Sequence, residues 1–308
     1  MRKTTLLFFL LLLAVSCKPF EGLVRAPQRQ LPLFEVHKGT TGVEMAFIEG
    51  APPAEVYEKN LFEIAVEIEN NGGADAEGVT VFGIPADAMT ITRGTARNAF
   101  RLKGKTGTVP IGERERFVVL AQARELLEER YPAVVTANTC YKYTTSAVEL
   151  VCVKPVSALQ REVREICVPQ EKNIQGGQGG PVGIVKIEKP ITSPFAGKVK
   201  PTIIFHIKNL GSGAVVAQQN YDELCRSNTQ LRQREGLVNI VSVNAQLSNQ
   251  PLACTPNPAV LEEDAIAVSC TLEQGLSAEA TYEALLEVEL GYGYSEQQTR
   301  SVVIKKIL

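Results

Sequence analysis

Two stretches of this 308-residue chain follow one pattern. In "FEIAVEIENNGGADA", residues 62–76, Phe62, Ile64, Val66 and Ile68 share one parity while Glu63, Glu67 and Glu69 take the other. Such alternation predicts a strand with one face in a core and one in water. Asn70-Asn71-Gly72-Gly73 then supplies turn chemistry, because Asn and Gly tolerate positive φ. In "PTIIFHIKNLGSGAV", residues 201–215, Ile203, Phe205 and Ile207 hold the inner parity and the turn begins at Asn209. Asn209 lies 139 positions after Asn70, and the same offset lays "GVEMAFIE" (42–49) on "PVGIVKIE" (181–188).

The ends repeat too, at an offset of 151: "CYKYTTSAVELVCVK" (140–154) lies on "GYGYSEQQTRSVVIK" (291–305). Both read as a strand, a short polar turn and a closing strand, the signature of a hairpin. The change of offset puts 12 extra residues inside the second copy. About seven short strands per copy, punctuated by Gly, Pro and Asn, predict an all-β chain of two tandem sandwiches. Only "ARELLEER" and "ALQREVREIC" have helical character. The expected organisation is a signal segment at 1–17, a spacer at 18–33, domain 1 at 34–156, a linker at 157–180 and domain 2 at 181–308. The glycines of "QEKNIQGGQGGP" in that linker read as a flexible hinge.

The alternating strand followed by "NNGG" or "NLGSG" and small residues resembles the immunoglobulin-like domains of the cell-adhesion-related type on prokaryotic surfaces. "GTTGVEMAFIEGAPPAEVYEKNLFEIAVEIENNGG" and "CYKYTT" are also similar to two-domain archaeal surface proteins. The resemblance implies tandem immunoglobulin-like β-sandwiches used in adhesion or envelope architecture, and it brings no catalytic residues.

"MRKTTLLFFLLLLAVSC" has a basic start at Arg2 and Lys3 and an apolar core of ten residues, Leu6 to Val15. Roughly 20 apolar residues are needed to span a bilayer, so the segment reads as an export signal. Its end, "LAVSC", resembles the lipobox of bacterial and archaeal lipoproteins, which implies lipidation of Cys17 and a membrane tether. The expected location is the extracellular face of the cell membrane or the cell envelope.

Setting Cys17 aside leaves six of the seven cysteines, an even number that suits disulfides in an exported chain. Cys140 and Cys152 flank the expected hairpin of the first copy, and both are replaced in the second, by Gly291 and Val303. That joint absence predicts a Cys140–Cys152 bond. Cys167, Cys225, Cys254 and Cys270 allow three pairings. Cys254–Cys270 is favoured because their segments could be neighbouring strands, leaving Cys167–Cys225. The rival reading is a four-cysteine zinc site, but no C-x-x-C knuckle is present.

Little else suggests chemistry. The chain has no Trp and two His, His37 and His206, neither with a hydrolase motif nearby. "KGKTGT" (103–108) lacks the first glycine of a phosphate loop, since position 99 is Ala. No cofactor or metal is expected. The formal charge of -2, with basic residues dispersed, gives no reason to expect nucleic acid. Tyr141, Tyr143, Tyr292 and Tyr294 are the aromatic recognition candidates, able to stack on sugars or anchor a partner, although their parity continues the core face. The expectation is a non-catalytic surface protein that meets the membrane through its tether and binds other envelope proteins or surface glycans. The alternative is a carbohydrate-binding module that serves a separate surface enzyme.

Overall fold

A computed structural model describes residues 38–154, 166–195, 198–226, 238–277 and 281–307. The signal segment, the spacer, Cys17 and His37 lie outside them. The described chain is mostly antiparallel β. Strands β1 (Val43–Phe47), β3 (Leu61–Asn70), β7 (Arg114–Ala123) and β5 (Met89–Arg93) form a four-stranded sheet in the order β1-β3-β7-β5, all from the first copy. A six-stranded sheet from the second copy runs β16 (Ala253–Thr255), β18 (Ala265–Thr271), β12 (Lys198–Asn209), β10 (Val182–Ile187) and β9 (Lys172–Asn173), with β11 (Ile191–Phe195) also on β12.

The third sheet has nine strands and belongs to both copies. Its main path is β15 (Gln250–Pro251), β14 (Ile240–Leu247), β19 (Tyr282–Lys305), β8 (Arg130–Val153), β4 (Ala76–Gly83) and β6 (Arg97–Leu102). β2 (Glu55–Tyr57) and β13 (Ala214–Val216) join β19, and β17 (Ala259–Val260) joins β14.

The repeat seen in sequence is reproduced in register. β1 pairs Val43 with Asn70, and β10 pairs Val182 with Asn209, both residues 139 positions on. The two copies then meet through β8 and β19, antiparallel over 24 residues. Lys142 pairs with Gly293, which is its own counterpart at the offset of 151. Tyr141 faces Tyr294, and Tyr143 faces Tyr292. A local two-fold axis therefore passes between Lys142 and Gly293, and the chain is built like an isologous dimer fused into one polypeptide. Each copy extends its last strand into the other's sheet.

This corrects the expected hairpins. β8 and β19 do not turn; each is one strand of 24 residues, about 80 Å long. The polar run Thr144-Thr145-Ser146 looked like a turn, but threonine suits a strand and the buried Thr145 hydroxyl meets the Tyr292 hydroxyl at 2.7 Å. Gly293 is no turn residue either. A Cβ there would come within 2.9 Å of Tyr221, so the glycine lets a 3-10 helix, Gln218–Cys225, lie close to the sheet.

One alternation runs through both long strands. Odd residues of β8 from Ala133 to Val153 are buried except Glu149, and so are even residues of β19 from Ala284 to Tyr294, then Val302 and Ile304. A single apolar cluster runs from Val43 through the tyrosines to Ile304. The described residues fall in one compact unit. The glycine run is not a free hinge: Gly39 donates to the Gly176 carbonyl, and Gly73 and the Tyr143 hydroxyl donate to that of Gly179. "ARELLEER" forms no helix; residues 124–129 connect β7 to β8.

The disulfides correct two expected pairings. Cys140 and Cys152 sit 12 positions apart on one extended strand, roughly 40 Å, and cannot bond. Cys140 instead bonds Cys225, with Cα atoms 5.9 Å apart, and Cys152 bonds Cys167, so the expected Cys167–Cys225 bond is also absent. The joint absence of Cys140 and Cys152 from the second copy has another cause: each reaches a cysteine that has no counterpart in the repeat. Cys254 bonds Cys270 across β16 and β18, as neighbouring strands suggested.

Candidate functional site

The four tyrosines are brought together at the two-fold axis, but in the core. Each is at most 1% exposed, and neighbouring ring centroids lie 5.8–6.4 Å apart. Their hydroxyls hold the repeated turns. The Val43 N–H donates to Tyr141 and the Ala74 N–H to Tyr143; in the second copy the Val182 N–H donates to Tyr292 and the Gly213 N–H to Tyr294. Asn70 and Asn209 close the same turns through their side-chain amides, to the Ala74 and Gly213 carbonyls. Burial pushes the Tyr143 and Tyr294 hydroxyls up to about 12, and those of Tyr141 and Tyr292 up as well. The tyrosines stay protonated, anchor turns, and offer no surface for stacking on a sugar or gripping a partner.

His206 of β12 is half-buried, with Nε2 2.7 Å from Oε1 of Glu188, the residue that follows β10. Residues 103–108 lie in the connection between β6 and β7, where Lys103 is tied to Asp75. Among the described residues no group of three or more His, Cys, Asp or Glu is placed to hold a metal.

A different feature interrupts the buried alternation of β19. Glu296 and Gln298 fall on its inward parity, directly after Tyr292 and Tyr294, yet neither is fully buried. They line a cleft of about 370 Å³ with Thr41, Glu44, Met45 and Ala46 of the β1 edge and Glu67 and Glu69 of β3. Arg114 and Arg116 neutralise Glu69 and Glu67 at 3.0 and 3.4 Å. Glu44 accepts a hydrogen bond from Asn71 at 2.7 Å, and among the described residues no cation lies within ion-pair distance of Glu44 or Glu296. Burial, reinforced by the charge of Glu44, pushes the Glu296 carboxyl up to about 7. Sequence reasoning missed this cleft. The signal was polar Glu296 and Gln298 on the core parity, where the tyrosine pattern should have continued.

The raised carboxyl has a measurable consequence. Between the ordinary glutamate range and about pH 7 the folded chain keeps a proton that the unfolded chain has released. Stability therefore falls as pH rises through that window and levels off above it. Glu296→Gln is expected to stabilise by about 1–2 kcal/mol at pH 8, after discounting for solvent screening, and by nothing at pH 4. Urea unfolding of both chains at the two pH values measures this, and an equal gain at both would remove the burial argument.

All six described cysteines are in disulfides, which suits an oxidising environment outside the cytoplasm. No described helix is long and apolar enough to cross a membrane. No family model matches the sequence, and no curated protein matches it. Among solved structures, a non-toxic crystal protein from Bacillus thuringiensis aligns over 86% of this chain and 85% of that one, at 9% identity and a TM-score of 0.10. A likeness at that level carries no argument.

Proposed function

We propose that the chain is an exported surface protein, tethered by a lipid on Cys17, that works noncovalently in adhesion or cell-envelope assembly. Two immunoglobulin-like copies, joined about a two-fold axis, form a stiff body for display. The observation that carries this reading is the oxidation of Cys140, Cys152, Cys167, Cys225, Cys254 and Cys270, a state kept outside the cytoplasm. The β8–β19 ladder supports it as well: a sheet about 80 Å long suits a spacer that holds contact edges away from a membrane. The carbohydrate-binding alternative loses its main support with the burial of the four tyrosines.

Expression of the full chain in a bacterial host tests the reading. The chain should sediment with membranes and come off with detergent but not with salt. Mass spectrometry should find a Cys17 terminus with added acyl mass, and Cys17→Ala should move the chain to the soluble exported fraction. A membrane-impermeant crosslinker on intact cells should join the chain to a second envelope protein. Recovery from the cytoplasm with free thiols, or no crosslinked product, would defeat the proposal.

A further inference from the structure

One loop of the first copy carries apolar side chains into water. Residues 103–113 join β6 to β7, and the loop's tip is a closed turn in which the main chains of Thr106 and Val109 exchange both N–H···O bonds, at 2.9 and 3.1 Å. Val109, Pro110 and Ile111 follow one another at this tip, all exposed, with Val109 at 56% and Ile111 at 66%. A turn in water needs neither valine nor isoleucine, since Gly, Asn and Ser serve it better. Pro110 has no N–H, so the tip has one main-chain donor fewer to strip of water on entering an apolar phase.

The loop stands on a firm base. Lys105 donates to the Gly72 carbonyl at 2.8 Å and Asn70 to that of Glu113 at 3.0 Å, so both feet are fixed to the turn at residues 70–73. The same turn receives the start of the described chain: Asn71 donates to the Gly42 carbonyl, Gly73 to that of Gly179, and Gly179 to that of Gly39. Twenty residues lie between Cys17 and Lys38, a reach of at most about 70 Å. A lipid on Cys17 therefore keeps this side of the first copy within reach of a bilayer. Lys103 and Lys105 stand before the tip and Arg114 after it. Lys103 and Arg114 pair with Asp75 and Glu69, yet their side chains are 69% and 54% exposed, open to headgroup phosphates. Glu113, the acid within the loop, accepts the Lys103 N–H at 2.6 Å.

We infer that Val109, Pro110 and Ile111 form a membrane-contact loop, which enters the interface of the bilayer that holds the tether while Lys103, Lys105 and Arg114 meet its anionic headgroups. Of the surfaces such a loop could meet, the tether guarantees only the lipid. Two large apolar side chains hold a free protein weakly. On a tethered one the contact is intramolecular, and effective concentration makes up the difference. Basic residues near an anionic surface add to the apolar contribution. The inference deepens the lipid-tether reading and rests on it: the contact sets which side of the body faces the bilayer.

The test couples the chain from Cys17 to Leu308, through the Cys17 thiol, to a maleimide phospholipid in vesicles of phosphatidylcholine and phosphatidylglycerol. The six other cysteines are in disulfides, so Cys17 is the thiol that reacts. The chain has no Trp, which makes Ile111→Trp a single fluorescent reporter. Its emission should shift to the blue and be quenched by phospholipid with brominated acyl chains. Leu127→Trp should show neither effect: Leu127 is 100% exposed but follows the far end of β7, about 30 Å from Arg114. Lys105→Gln, or vesicles of phosphatidylcholine alone, should lower the quenching of the Ile111→Trp reporter. Quenching of both reporters alike, of neither, or of Ile111→Trp regardless of lipid charge overturns the site. Because the coupling is imposed, failure here leaves export and lipidation untouched, whereas a Cys17 without acyl mass in cells defeats the tether alone.

Discussion

Replacing Cys140 and Cys225 together with alanine lowers stability by about 4–5 kcal/mol, more than removing either other disulfide. The bond closes a loop of 85 residues, against 15 for Cys152–Cys167 and 16 for Cys254–Cys270, and the restriction it places on the unfolded chain grows with the logarithm of that length. The shorter loops should be worth about 3 kcal/mol each. Alanine is the right replacement because Cys140 and Cys225 are almost fully buried, and serine would add two buried hydroxyls. The bond also fastens the 3-10 helix Gln218–Cys225, which belongs to the second copy, onto the outer face of the first. That helix reaches the first copy again through Arg97–Asp222 and through Gln218, which donates to the Tyr143 carbonyl. Amide exchange in residues 218–226 should therefore quicken in the variant more than exchange in β3. Urea midpoints for the three double-alanine chains give the ranking. If the 85-residue loop is the cheapest to lose, or peptide mapping recovers a Cys140–Cys152 linkage, the strapped architecture is wrong.

The parts of this fold legible in sequence are those written in local periodicity. The strand at Phe62–Ile68, its counterpart at Ile203–Ile207 and the offsets of 139 and 151 all reappear as register, because alternation fixes which face a strand buries. The core parity of the tyrosines was legible for the same reason. What the two copies do with each other was not. Nothing local distinguishes a hairpin at Ser146 from a strand that continues alongside the other copy's last strand, since Thr-Thr-Ser is polar in both cases. The decisive partner, Tyr292 meeting Thr145, is 147 positions away. The cysteine error followed from the hairpin error, since a bond between Cys140 and Cys152 needs the chain to turn between them. The cleft escaped for a different reason. Glu67 and Glu69 read as a solvated face, and only the exchanged end of β19 brings Glu296 beside them.

If the exchange of long strands makes the two copies one folding unit, damage at the axis is felt by both. Tyr292→Ala tests this directly. Removing a fully buried ring should cost about 3–5 kcal/mol, as large aromatic deletions in cores do. It also strips partners from the Thr145 hydroxyl and the Val182 N–H, which puts the expected value at the upper end. Tyr292→Phe keeps the ring and loses only the hydroxyl, and should cost about 1–2 kcal/mol. For both variants, unfolding in urea should remain a single transition, displaced as a whole. Slowly exchanging amides in β3 of the first copy and β12 of the second should lose protection together, since the cooperative unit contains both. Independent sandwiches behave otherwise: the substitution would split the transition, and protection would fall in β12 while β3 kept its own. A split transition would mean that the β8–β19 ladder is an interface between two domains, each with a core that stands without the other.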